Sequence, residues 1–194
     1  MYIDGDIELD TVYRMSLEQK YDPGVELIKL GFPSIGFRDG VKGELVFRVV
    51  EDITKFYIGI RYLEGPSNYT GIIYNGEDIV WVLREAGWIV YPFENVSKGD
   101  IVSVDTILVV DRPGTHLYDL KIWSVYGEKH VKFTISFLPT RTSIVIGAIL
   151  GALSGFLGYK AIGRYGLTLS VVGIPITYWV DYRQYKKLVE KRGF

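Results

Sequence analysis

The chain has no cysteine, which excludes a disulfide framework, a thiolate metal site and a thiol nucleophile. It has only two histidines, His116 and His130, 14 residues apart. No cysteine or close carboxylate pair accompanies them, so they do not complete a metal site. Both are expected at the surface or at strand edges. There is no G-x-S-x-G, no phosphate-binding loop and no dinucleotide glycine fingerprint. Two histidines without such a motif do not support a serine triad. No catalytic, cofactor or metal residue is assigned, and the protein is expected not to be an enzyme. Methionine (two), glutamine (two) and asparagine (three) are also scarce, a composition poor in thermolabile residues that fits a thermophilic source. The opening residues MYIDGDIELD are acidic and contain no apolar h-region, so no signal peptide is expected.

What the chain does have is unevenly distributed. Over residues 1–140 there are 14 Lys+Arg against 21 Asp+Glu, a net charge of −7. Over residues 141–194 there are 8 against 2, a net charge of +6. The acidic body argues against nucleic acid, whose phosphates must be neutralised. A basic, apolar end suits a membrane with anionic headgroups.

That end holds two long uncharged runs. Thr142 to Tyr159 is eighteen residues, TSIVIGAILGALSGFLGY, and Tyr165 to Val180 is sixteen, YGLTLSVVGIPITYWV. Lys160 and Arg164 lie between them. Neither run has the polar face that a water-soluble helix needs. Eighteen helical residues rise about 27 Å, enough to cross a hydrocarbon core of about 30 Å. The second run is short and contains Pro175. Tyr159, Tyr165, Tyr178, Trp179 and Tyr182 cluster at the run ends, where an aromatic belt would lie. The reading is a transmembrane helical hairpin over 141–181 followed by a basic helical tail over 182–194. The competing reading is a buried hairpin in a soluble oligomer.

Gly147, Gly151, Gly155 and Gly158 share one face of the first helix. Small residues let helix backbones approach closely. This strip serves either oligomerisation or packing within the chain, against Gly166, Ser170 and Gly173 of the second run.

Residues 1–140 read as eight or nine short strands separated by turn signals, a pattern that predicts an antiparallel β-sandwich. Predicted strands include Ile7 to Thr11, Val25 to Leu30, Glu44 to Val50, Ile72 to Tyr74, Ile79 to Leu83, Trp88 to Tyr91 and Ile101 to Val110. Phe56, Ile58, Ile60 and Tyr62 fall on one face of a strand, opposite Lys55, Tyr57, Gly59 and Arg61. Asn75-Gly76 is a tight-turn dipeptide. Val131, Phe133, Ile135 and Phe137 alternate with Lys132, Thr134 and Ser136. Asp4, Asp6, Glu8 and Asp10 form an acidic edge that discourages edge-to-edge pairing and lacks the glycine and glutamate of a calcium loop. The tryptophans and tyrosines are expected to fill the core and the interfacial belt, an aromatic carbohydrate platform being the other use for them.

The stretch Arg112-Pro-Gly-Thr-His-Leu-Tyr-Asp-Leu-Lys-Ile-Trp123 resembles the late-strand signature of immunoglobulin-like and fibronectin-type-III-like domains, with Tyr118, Leu120 and Ile122 at alternate positions. The resemblance implies membrane-anchored β-sandwich surface proteins of archaeal or viral type. It implies a fold class and no activity. The Cys–Trp–Cys pattern of antibody domains is absent, and a jelly roll has a similar strand count.

Two of the three asparagines lie in glycosylation sequons, Asn68-Tyr-Thr and Asn95-Val-Ser, which places the body outside the membrane if they are used. The basic tail argues for the opposite side by the positive-inside rule. The expectation is an extracytoplasmic β domain, or one on the outer side of a viral membrane. The function expected is that of a non-catalytic structural or interaction protein of a cell envelope or membrane-containing virion. Its partners would be membrane lipid and protein, by self-association or in a larger complex. An accessory subunit of a membrane enzyme complex is the alternative.

Overall fold

The computed structural model describes residues 17–19, 23–84 and 86–192. Among these, eleven strands precede two α-helices joined by a 3-10 segment. The strand predicted at Ile7 to Thr11 and the acidic edge from Asp4 to Asp10 lie outside the described residues. The chain divides into two units, one of residues 1–36 and 40–137, the other of 37–39 and 138–194.

The first unit is a sandwich of two antiparallel sheets. One runs β1 (Leu17–Gln19), β11 (Glu128–Leu138), β10 (Gly114–Ser124), β5 (Ile53–Glu64), β8 (Ile89–Val96), with β3 (Ile35–Phe37) also on β11. The other runs β2 (Val25–Leu30), β4 (Val41–Val49), β9 (Ile101–Val110), β6 (Tyr69–Tyr74), β7 (Val80–Leu83). The order β2-β4-β9-β6 over β5-β10-β11 is the ABED over CFG arrangement of an immunoglobulin-like sandwich. Strands β7 and β8 are added between the fourth and fifth of these seven, one at an edge of each sheet. This order, rather than strand count, separates the fold from a jelly roll.

Alternation along the strands builds the core. Phe56, Ile58, Ile60 and Tyr62 of β5, Tyr118, Leu120 and Ile122 of β10, and Val131, Phe133, Ile135 and Phe137 of β11 all point inward and are buried. Phe47 and Val104 close the core from the second sheet. Phe47 meets Phe56 edge-on across the sheets at 6.3 Å, and Phe32 stacks on Phe133 at 5.1 Å. Buried aromatics dominate such cores because each removes a large apolar area from water.

Hydroxyl groups cross the same interior. The Tyr118 hydroxyl on β10 lies 3.2 Å from Thr70 Oγ1 on β6, and the Tyr74 hydroxyl on β6 donates to the Ile89 carbonyl on β8 at 3.0 Å. Tyr62 donates to the Ser67 carbonyl at 3.1 Å. Each buried phenol therefore has a partner, as burial requires. Burial pushes the Tyr62 hydroxyl up to about 12 and Tyr118 upward too, so both keep their protons.

The turn at Asn75-Gly76 has positive φ at both residues, 46° and 76°, and Glu77 N–H closes it on the Tyr74 carbonyl at 2.8 Å. Two left-handed residues match the twist of the flanking strands. Strand β8 carries Pro92, which suits its place at a sheet edge.

Candidate functional site: a glycine-lined helical unit

Thr140 immediately precedes the first helix of the second unit. Its hydroxyl accepts the Ser143 N–H at 3.2 Å and caps α1 (Arg141–Ile162), satisfying one of the orphan donors of the first turn. Helix α1 ends at Gly163, whose φ of 67° is a left-handed conformation that glycine adopts without cost. The chain continues as a 3-10 segment, Gly163–Val172, and then as α2 (Gly173–Arg192). Pro175 is the third residue of α2.

The return path runs antiparallel to α1. A Cβ on Gly147 would lie 2.7 Å from the Gly173 carbonyl oxygen, one on Gly151 2.6 Å from that of Ser170, and one on Gly158 2.5 Å from that of Gly166. On Gly155 it would meet Ser170 Cβ at 3.0 Å. The four strip glycines are buried, and Ser143 is the other buried residue of α1. Gly166 and Gly173 are buried on the return path. Close backbone contact of this kind is what a small-residue strip permits.

The 3-10 winding answers the shortness of the second run. Eight residues at about 2.0 Å and eight at about 1.5 Å carry it about 28 Å, the length of α1's apolar run. From Arg141 to Gln184 the helical stretch is long and apolar enough to cross a membrane by length and composition.

Large apolar side chains point away from the glycines. Val145, Ile149, Leu153, Phe156 and Leu157 of α1 are exposed, as are Leu167, Val171, Ile174 and Trp179 of the return path. Small residues inside and large apolar residues outside is the reverse of a water-soluble helix pair.

One end of this unit holds a buried ion pair. Arg38 Nε lies 2.7 Å from the Asp181 carboxylate of α2, and an Arg38 terminal nitrogen donates to the Asp181 carbonyl at 2.9 Å. The same carboxylate accepts the Thr140 N–H at 2.8 Å and the Ser143 hydroxyl at 3.4 Å. Arg38 and Asp181 are 3% and 2% exposed, so the pair survives only because these additional donors satisfy the carboxylate.

The histidines depart from expectation. His116 is fully buried, not at a surface or edge. Its Nδ1 lies 2.9 Å from the Gly114 carbonyl, which only accepts, so Nδ1 carries the proton. Nε2 then accepts from the Ser67 hydroxyl at 2.7 Å. Ser67 lies 49 positions away in sequence, so no local signal announces the contact. A serine hydroxyl on a histidine has the form of a nucleophile and its base, but Ser67 and His116 are both 0% exposed and reach no substrate. Their bond fastens the loop before β6 to β10. His130, half-buried, lies 3.2 Å from both oxygens of Asp119. In the β10–β11 register His116 faces Ile135 and His130 faces Lys121, so the two do not meet. Among the described residues no cluster of three metal-binding side chains occurs.

Burial holds the His116 pKa below its usual value. The unfolded chain, with an ordinary value near 6.5, therefore binds a proton that the folded chain refuses. The contribution is whole above that value and is lost as pH falls from it through the lowered folded value. Thermal melts of the sandwich should weaken between pH 7 and pH 5. His116→Gln should be less stable at pH 7 and flatter across that window; a parallel pH profile would count against the assignment.

Two tryptophans expected in the core or belt lie on the outer face of the first sheet. Trp123 stacks on Tyr57 at 5.3 Å. Arg61 lies 4.7 Å over Trp88, and Lys121 lies over both indoles, at 5.9 and 5.4 Å. Gly59 lies beneath them: a Cβ there would meet Trp123 at 2.9 Å and Trp88 at 3.2 Å. The cations also pair with carboxylates, Arg61 with Asp119 and Lys121 with Glu128. This ladder stabilises the sheet surface through cation–π contacts.

Both sequon asparagines are exposed. Asn68 immediately precedes β6, and its N–H bonds the Asp111 carboxylate at 3.1 Å. Asn95 lies in β8 with a left-handed φ of 53°. The sequon hydroxyl of Thr70 is buried on the Val109 carbonyl at 3.1 Å.

No family model matches the chain, and no curated protein sequence matches it. Solved structures with some likeness include a PapD-like domain of human CEP192, at 10% identity and a TM-score of 0.34, over 60% of this chain and 86% of that one. Another is the CARDB domain of a Pyrococcus furiosus protein in complex with di-metal ions, at 8% identity and 0.32, over 64% and 93%.

Proposed function

We propose that the protein is a non-catalytic, membrane-anchored structural or interaction protein of a cell envelope or of a membrane-containing virion. Its helical unit enters the bilayer as a transmembrane hairpin, and its immunoglobulin-like sandwich stands on the extracytoplasmic side. The observation that carries this reading is the inverted packing of the helical unit, with glycines inside and exposed Ile149, Leu153, Phe156, Leu157 and Val171 outside. In water such a surface would be an aggregation liability. In lipid it is the solvated face. The strip of Gly147, Gly151, Gly155 and Gly158 is filled by the chain's own return path, so assembly with copies or partners uses the outer faces and the sandwich. The exposed sequon asparagines support the orientation.

Full-length protein is expected to float with liposomes and to resist extraction by high salt and by alkali, needing detergent. Full-length protein that is monodisperse in buffer without detergent would overturn the anchor. In a glycosylating host, carbohydrate on Asn68 or Asn95, read by intact mass, checks the side.

A further inference from the structure

We propose that the helical unit carries two tiers of binding sites for the phosphates of anionic phospholipids, one at each end of its apolar surface; this rests on the membrane reading above. Its exposed cations differ from many of those in the sandwich. In the sandwich Lys29, Lys42, Arg48, Lys55, Arg61 and Lys121 each hold a carboxylate. In the helical unit Arg141, Lys160, Arg164 and Arg183 are exposed, and among the described residues none holds one. Three of them lie on aromatic faces instead: Arg141 over Phe37 at 4.8 Å, Lys160 over Phe156 at 5.0 Å, Arg183 over Trp179 at 4.3 Å.

An aromatic face orients a cation without neutralising it. The N–H groups at the rim of the guanidinium stay available for an anionic oxygen, and a guanidinium matches the oxygens of a phosphate. Asp181, an acid beside the first tier, is taken up by Arg38. The tiers are also correctly spaced. Arg141 and Lys160 open and close the apolar stretch of α1, about 29 Å apart along the helix, close to the thickness of a hydrocarbon core. Arg183 joins Arg141 at one level, since Ser143 meets Asp181 there. Arg164 follows Lys160 at the other. Charge complementarity selects an anionic headgroup over a zwitterionic one.

The test is native mass spectrometry of the full chain from a neutral detergent containing equal phosphatidylglycerol and phosphatidylcholine. Phosphatidylglycerol should be retained about tenfold over phosphatidylcholine. Arg141→Gln with Arg183→Gln should remove most of that preference while phosphatidylcholine is still retained, and Lys160→Gln with Arg164→Gln should remove part. Equal retention of both lipids by the unaltered chain, with normal insertion into liposomes, would overturn the anionic sites and leave the anchor standing. Failure to retain or insert into any lipid would overturn both.

Discussion

Gly151→Leu is expected to separate α1 from its return path. A Cβ at this position already lies 2.6 Å from the Ser170 carbonyl oxygen and 3.0 Å from Gly173 Cα. Both are backbone atoms, so no rotamer change on the facing segment makes room. Leucine adds three further carbons beyond that Cβ. Overpacking a close interface costs about 1–3 kcal/mol where side chains can yield, and here about 3 kcal/mol or more is expected. Labels for distance measurement by electron paramagnetic resonance can be placed at Val145→Cys and Tyr178→Cys, both exposed, and the absence of native cysteine makes the labelling specific. The distance distribution should broaden and lengthen in Gly151→Leu. It should stay unchanged in Ile149→Leu, which alters only an outward side chain. An unaltered distribution in the glycine variant would show that the strip is not the packing surface.

Arg38→Met should be the most damaging single change at the other end of the unit. It leaves the Asp181 carboxylate buried with only the Thr140 and Ser143 donors. Breaking a buried pair from one side costs about 3–5 kcal/mol, because the remaining charge is uncompensated. Removing both charges is milder: Arg38→Met with Asp181→Leu should recover a large part of the loss, although the Thr140 N–H then lacks its acceptor. Thermal melts of the full chain in detergent, followed by helical circular dichroism, check both. Equal stability of the single variant and the parent would mean that water already reaches the carboxylate.

The sandwich was readable wherever one strand carried its own evidence. The alternation through Tyr118, Leu120 and Ile122 needs no partner to be interpreted, and all three lie in the core. The three-residue strand β3 was not readable, because it is too short to show a period. Nor was the placement of β7 and β8 at edges of different sheets, since pairing order is not a local property. The contacts of His116 and Arg38 are hidden for the same reason. The Ser67 partner of His116 comes from the loop before β6, and Asp181 stands 143 positions from Arg38. Arg38 sits in Phe-Arg-Asp-Gly, where nothing local marks a buried ion pair. The stacked position of Trp88 and Trp123 is not legible in the sequence, because alternation tells which face a residue takes, not whether the outward face builds a stacked surface of its own. In the helical unit, the common face of the four glycines follows from the helical period. The 3-10 winding of Gly163–Val172 does not, because 3-10 runs of this length are uncommon.

The hydroxyl bridges of the sandwich interior have a consequence for where this chain can fold. Tyr118 to Thr70 and Tyr74 to the Ile89 carbonyl tie one sheet to the other, in the interior that a disulfide spans in antibody domains. Neither bond involves an electron transfer. The sandwich therefore needs no oxidase or isomerase to complete it, and glutathione cannot undo it. It can mature in a reducing cytosol or an oxidising exterior alike.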